Sequence, residues 1–456
     1  MHLTEAIRHN PMSRFQWLVV AICIVLTMID GYEILITSFT LPALTAEWDL
    51  SPAQQGLVAS FGTLGMGIGA VFLSPLADRI GRRRHIIGAL GLLTVSMILA
   101  GLAPSYELFL GFRFFGGLVL GGIVASINVL VAEYSNAERR GVVMGVYGIG
   151  LPLGAAIGGF LSVALIANFT WRGPYFFAAL VTAVVMVVAI AILPESVSYL
   201  VAKRPANALA TYNEIAGKIG VPAATELPPA PEKAVSETFV GGVFSGVLSG
   251  VMLPRTLLLW LAYGTLIASF YFANSLTAKL VAEATGDPDF GINAQAMVAA
   301  GGVIGALVFS MLSRWIHPRL VTGVVMLFGF GVFVAFAAFF TDRTMVMALA
   351  VLVGLAVNGG VAAYYAISPS IYPLAIRAAA VGLMMGLGRV VAFFAPNVAT
   401  FLQGLGYGPD DLYRIYGLVL VVSAVAVTGL HLVYRGQKDA MDDEADEAAT
   451  LAQARA

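Results

Sequence analysis

The chain is dominated by long, nearly unbroken apolar runs, each about the 20 residues that a helix needs to cross a bilayer. Twelve can be drawn, at 17–41, 53–76, 85–103, 107–132, 141–166, 174–193, 255–279, 293–313, 319–340, 345–367, 378–402 and 413–434. A membrane barrel would instead alternate polar and apolar residues in segments of about ten. Only 11% of the residues are charged and 59% are hydrophobic, whereas an ordinary soluble domain carries about 25% charge. An all-α integral membrane protein with twelve transmembrane helices is therefore expected. The 50 glycines suit close helix–helix approach in lipid. The lone Cys23 leaves no internal disulfide. The first apolar run has spanning length and lacks a small-residue cleavage pattern, so it reads as a span and not as a signal peptide.

Six runs precede a polar, proline-bearing segment and six follow it. The expected organisation is a cytoplasmic N-terminus (1–16), a six-helix bundle (17–194), a cytoplasmic linker (195–253) with one short helix near Ala206–Ile219, a second six-helix bundle (254–434) and an acidic cytoplasmic tail (435–456). Basic residues set the orientation. With both termini inside, 19 of the 25 Lys and Arg fall in cytoplasmic segments and four outside, the bias expected of a plasma-membrane protein. The two that remain, Arg113 and Arg389, lie within spans. The halves echo one another: Arg140-Gly141-Val142-Val143-Met144-Gly145 opens the fifth span and Arg377-Ala378-Ala379-Ala380-Val381-Gly382 the eleventh. A six-plus-six duplication is the plan of many secondary transporters.

Two acids, Asp30 and Glu33, interrupt the first span, and no other charge lies between Trp17 and Leu41. An ionisable group in hydrocarbon costs roughly 2.5–3.5 kcal/mol on insertion scales, and such residues are functional by default. Three residues apart, the two lie on one helix face. Carboxylates that share a site repel, which favours loading and release of a proton. The pair predicts a proton-coupled transporter. Either acid could titrate, or both as a unit.

Between the second and third spans stands Leu76-Ala77-Asp78-Arg79-Ile80-Gly81-Arg82-Arg83-Arg84. Glycine permits the tight turn, and the arginines anchor the loop in the cytoplasm. This segment resembles the signature loop of the major facilitator superfamily. Arg113 with Gly116, Gly117, Gly121 and Gly122, the run Gly148-x-Gly150-x-Pro152, and Leu193-Pro194-Glu195-Ser196-Val197 agree with that resemblance. Within the superfamily, Asp30-Gly31-Tyr32-Glu33 followed by Pro42 looks like the first-span signature of the aromatic acid:proton symporters, which import benzoate, hydroxybenzoates and protocatechuate. Glu33 stands where that pattern has aspartate. Tyr372-Pro373, Arg377 and Arg389 resemble further family positions. Ser313 and Ala380 depart from it, where an acid and a threonine are usual.

The resemblance implies two six-helix halves rocking around a midplane site by alternating access. Asp30 and Glu33 are expected to carry the proton and Arg113 to couple to them. Arg389, deep in the eleventh span, is expected to clamp the substrate carboxylate, because a guanidinium fork matches it bidentately. Tyr271, Asn274, Asn358 and Tyr365 are candidate substrate contacts in the seventh and tenth spans, which line the cavity in the superfamily. Asp78, Arg79, Arg83 and Arg377 are expected at the cytoplasmic gate. Asp30, Glu33, Arg113 and Arg389 sum to zero when both acids are ionised. One added proton then suits one monocarboxylate anion, which favours import in the bacterial inner membrane. No metal-ligand cluster, phosphate loop or nucleophilic triad is evident, so neither an enzyme, a cofactor nor an ATP-driven pump is expected. No nucleic-acid partner is indicated, and the superfamily implies a monomer. The rival readings are a symporter of a sugar or another organic anion, a drug exporter, and a receptor that binds without carrying.

Overall fold

The computed structural model describes residues 3–229, 248, 250, 252–313, 315–372 and 374–433. Arg314, Pro373, the acidic tail 435–456 and most of the later half of the expected linker lie outside the described residues. Helices account for nearly all of the rest, and twelve are long and apolar enough to cross a membrane.

The chain divides into two compact units. In the first, α1 (Leu3–His9) leads into α2 (Arg14–Trp48), α3 (Pro52–Phe72), α4 (Ala77–Ile80), α5 (Arg82–Gly101), α6 (Tyr106–Glu133), α7 (Arg140–Phe169) and α8 (Arg172–Ile192). Two short helices follow, α9 (Val197–Lys203) and α10 (Ala208–Ile219). In the second, α11 (Met252–Thr285), α12 (Pro288–Leu312), α13 (Pro318–Ala338), α14 (Arg343–Ile371), α15 (Leu374–Gly404) and α16 (Pro409–Val433) run in turn. The first turn of α3, Pro52–Gly56, clusters with the second unit.

Local chemistry sets the helix ends. Ser13 caps α2 through a reciprocal bond with Gln16. Asp287 caps α12 ahead of Pro288, whose missing N–H is no loss in a first turn. Asp342 caps α14 by accepting from Thr344 and Met345. α2 continues through Pro42 to Trp48, several residues beyond the apolar run. Its outer turns are held by an aromatic cluster in which Trp171 meets Trp48, Phe109 and Tyr175 at ring separations of 5.1, 5.8 and 6.0 Å.

Within the first unit α2 packs along α7, and α5 packs between α6 and α8. Within the second, α12 packs along α14, and α16 packs against α11 and α13. The duplication reaches individual contacts. Thr40 and Tyr175 join hydroxyls at 3.0 Å in one unit, and Thr277 and Tyr413 do so at 2.5 Å in the other. Gly117 presses on the Gly62 carbonyl just as Gly354 presses on that of Val298. A Cβ at Gly117 or Gly354 would lie 2.0 or 1.8 Å from the carbonyl oxygen it faces, so only glycine permits these approaches.

Candidate functional site

Three groupings of side chains stand out, each inside one unit. The first surrounds Glu33, which is fully buried. Its Oε1 accepts from the Thr182 hydroxyl on α8 at 3.1 Å. Arg113, buried on α6, donates from Nη2 to the Glu33 main-chain carbonyl at 2.9 Å. Its Nη1 lies 3.7 Å from the Met97 sulfur, and the guanidinium sits 5.8 Å from the centre of the Tyr175 ring. Arg113 Nε and Glu33 Oε2 find no hydrogen-bond partner among the described residues. Both residues line a cavity of about 20 Å³ with Gly62, Thr63, Met66 and Met97, which is room for about one water molecule.

Asp30 is buried one turn earlier in α2. It lies within electrostatic reach of the Tyr147 phenol on α7. Asp30 and Glu33 also lie within electrostatic reach of one another. Gly31 between them brings α2 onto the α7 backbone, where a Cβ would lie 1.9 Å from the Leu151 carbonyl oxygen. The expected trio of Asp30, Glu33 and Arg113 thus falls in one neighbourhood, with Arg113 bound to the main chain of Glu33 and not to its carboxylate.

The second grouping centres on Arg389, half-buried on α15. Its Nη1 donates to the Tyr271 hydroxyl at 3.0 Å. Tyr263, on the same helix as Tyr271, has its ring centre 6.4 Å from that of Tyr365 and lies within electrostatic reach of Arg389. Tyr365 is 45% exposed, whereas Tyr263 is 3% exposed. Sequence reasoning missed Tyr263. Its signal was its spacing of two helical turns before Tyr271, which places both on one face. Asn274 donates to the Phe270 carbonyl and Asn358 to that of Gly354, each bonding its own helix at 3.0 and 3.1 Å. Asn358 also rests on Gly302 of α12.

The third grouping is the signature loop. Gly81 has φ +98°, which other residues rarely adopt, and a Cβ there would lie 2.4 Å from Glu195 Oε2. Arg82 binds Glu133 at 3.0 Å and Ser196 at 2.5 Å. Arg83 donates its main-chain N–H to Glu195 at 3.1 Å and its guanidinium to the carbonyls of Leu193 and Ile190. Asp78 is 68% exposed and pairs with Arg82 within the loop at 3.3 Å. Arg79 contributes its carbonyl, which accepts from Tyr199. Arg377 belongs to the second unit, where it binds the Tyr372 carbonyl at the end of α14 at 3.1 Å. The tie between loop and neighbours thus runs through Arg82, Arg83, Glu133, Glu195 and Ser196. Glu133 carried the missed signal: an acid in a last helical turn opposes the helix dipole and calls for a cation.

A model described as Major Facilitator Superfamily matches residues 20–396. The 4-hydroxybenzoate transporter PcaK of Pseudomonas aeruginosa is 29% identical over 428 residues, 93% of this chain and 95% of that protein. The gallate transporter of Pseudomonas putida is 27% identical over 426 residues, 92% and 93% of the two chains. Among solved structures, the inward open conformation of the xylose transporter XylE from E. coli superposes with a TM-score of 0.71 at 14% identity, covering 90% of this chain and 95% of that one.

Proposed function

The chain belongs to the major facilitator superfamily, a family of membrane transporters and not of enzymes, and from that premise we propose that it imports an aromatic monocarboxylate together with protons by alternating access. Its setting is the bacterial inner membrane, with both termini cytoplasmic and the single chain as the working unit. The observation that carries proton coupling is the Glu33 cavity: a fully buried carboxylate and a buried guanidinium, each with one unpartnered polar atom, meet in a space that holds about one water. A proton can reach Glu33 there without either side chain leaving its anchor.

The substrate reading rests on Arg389 and its ring of phenols. A guanidinium that bonds Tyr271 can take a carboxylate bidentately, while the exposed Tyr365, backed by the buried Tyr263, offers its ring to an aromatic substrate. The named substrates of the relatives point to the same class. Asp30 shares the proton with Glu33, and Arg113 senses their charge. Asn274 and Asn358 line the substrate's path, and Asp78, Arg79, Arg83 and Arg377 serve the cytoplasmic gate.

The test is uptake of radiolabelled benzoate, 4-hydroxybenzoate and protocatechuate into proteoliposomes, with and without an inward acid gradient. Gradient-dependent accumulation of one of them supports the reading. Flux of a sugar or a cation with no flux of any aromatic acid overturns it.

A further inference from the structure

A second cavity of the first unit is lined by neither Glu33 nor Arg113. It holds about 290 Å³ and is walled by the start of α5, the chain leaving α8, and helices α9 and α10. That approaches the size of small-ligand sites, which run from about 300 Å³ upward. Its charged lining is Arg83, Arg84 and Lys218 against Glu195 and Glu214.

Both acids are already engaged. Glu195 accepts from the main-chain N–H groups of Arg83 and Ser196 at 3.1 and 2.9 Å. Glu214 accepts from Lys218 at 2.7 Å. That bond and the Lys218 charge hold the Glu214 carboxyl below the usual carboxylate range, with Arg83 adding to the effect. The Arg83 guanidinium is taken up by the carbonyls of Leu193 and Ile190, which orient a cation without neutralising it. Arg84 is exposed and makes no ion pair with a described residue. The lining therefore carries one more cation than anion, and Asn207 and Thr211 add neutral polar groups beside it.

The position is as informative as the charge. Ile192 closes α8 and Arg84 lies in the first turn of α5, so the cavity sits where two spans leave the apolar zone. In the proposed orientation that is the level of the cytoplasmic headgroups, whose anionic lipids attract basic pockets between helix ends. We propose that this cavity binds a phosphate group, supplied by the headgroup of an anionic lipid of the cytoplasmic leaflet, with Arg84 and Lys218 as its cationic contacts. The bound headgroup bridges α5 and α10, and so ties the signature-loop helix to the linker. Free inorganic phosphate has the same charge chemistry but gains nothing from the adjoining apolar zone.

The experiment uses the full-length protein, delipidated in detergent and titrated with dioctanoyl phosphatidylglycerol, with bound lipid counted by native mass spectrometry. One saturable site is expected, weakened about tenfold or more in the Arg84→Gln/Lys218→Gln double variant. Thr211→Glu, which adds an anion while keeping every cation, is expected to weaken it too, and Glu214→Gln to tighten it. Dioctanoyl phosphatidylcholine and millimolar inorganic phosphate are expected not to compete. Equal binding by the wild type and the Thr211→Glu and double variants overturns the site. Equal binding of phosphatidylcholine overturns the charge recognition, and competition by inorganic phosphate as effective as that of the lipid overturns the lipid source. None of these outcomes depends on which substrate is carried.

Discussion

Arg113 reaches Glu33 through the main chain: its Nη2 donates to the Glu33 carbonyl oxygen at 2.9 Å, while the carboxylate accepts from Thr182 at 3.1 Å. A carbonyl does not titrate. The arginine therefore keeps its place whether Glu33 is charged or neutral, and its field acts on the acid without a direct bond to break. In the proposed cycle this separates holding the cation from moving the proton.

Tyr271→Phe removes the phenol oxygen that accepts from Arg389 and leaves the ring. A hydrogen bond to a charged group contributes about 1.5–3 kcal/mol, so KM for the aromatic acid is expected to rise about tenfold or more with kcat little changed. Initial-rate uptake over a range of substrate concentrations measures it.

Arg82 and Glu133 are each 16% exposed in their side chains, and Asp78 is 68% exposed. Breaking a mostly buried pair costs about 3 kcal/mol or more, whereas an exposed pair contributes about 0–1 kcal/mol. Glu133→Gln is expected to lower the melting temperature in detergent distinctly, and Asp78→Asn to leave it nearly unchanged. Thermal unfolding of the two variants side by side is the measurement.

Gly31→Ala places a Cβ against the Leu151 carbonyl, whereas a Cβ at Gly148 meets nothing within 4 Å. Overpacking costs typically about 1–3 kcal/mol, and here a backbone atom must yield. Gly31→Ala is expected to reduce folded yield and melting temperature, while Gly148→Ala is tolerated, although both glycines belong to motifs that the sequence singles out.

Asp287, in the connection before α12, has its carboxyl held below the usual range, first by the Phe290 main-chain N–H and then by Arg343 at 2.8 Å. A depressed acid adds stability that is complete above its unfolded pKa of about 4 and fades as pH falls through the folded value. Asp287→Ala is therefore expected to melt lower than the wild type at pH 7, and the gap between the two to narrow as pH falls below about 4. Melting temperature against pH reads this directly.

Much of the architecture was legible because its physics is local. A bilayer fixes span length, so the twelve runs at once gave twelve helices, though α2 overshoots its run at both ends. A helix does not stop where its apolar run stops, and aromatic packing around Trp48 holds the extra turns. In the linker, α10 at Ala208–Ile219 lay close to the expected helix, but α9 was unforeseen. Seven residues leave little periodicity, and its one signal was the Ser196 cap. The acids and arginines inside spans were legible because hydrocarbon penalises them. The Thr182 bond to Glu33 and the place of Tyr263 beside Arg389 were not, because they depend on which helices pack together.

The central claim, that proton coupling needs the Glu33 carboxyl, is tested most directly by comparing wild-type and Glu33→Gln protein in two sets of proteoliposomes, empty ones for acid-driven accumulation and ones loaded with unlabelled 4-hydroxybenzoate for counterflow. Glutamine keeps the size and polarity of the side chain but cannot release a proton. The account predicts that the wild type accumulates label against its gradient when the outside is acid, and that the variant exchanges label by counterflow yet accumulates none. Accumulation by Glu33→Gln equal to that of the wild type would contradict it.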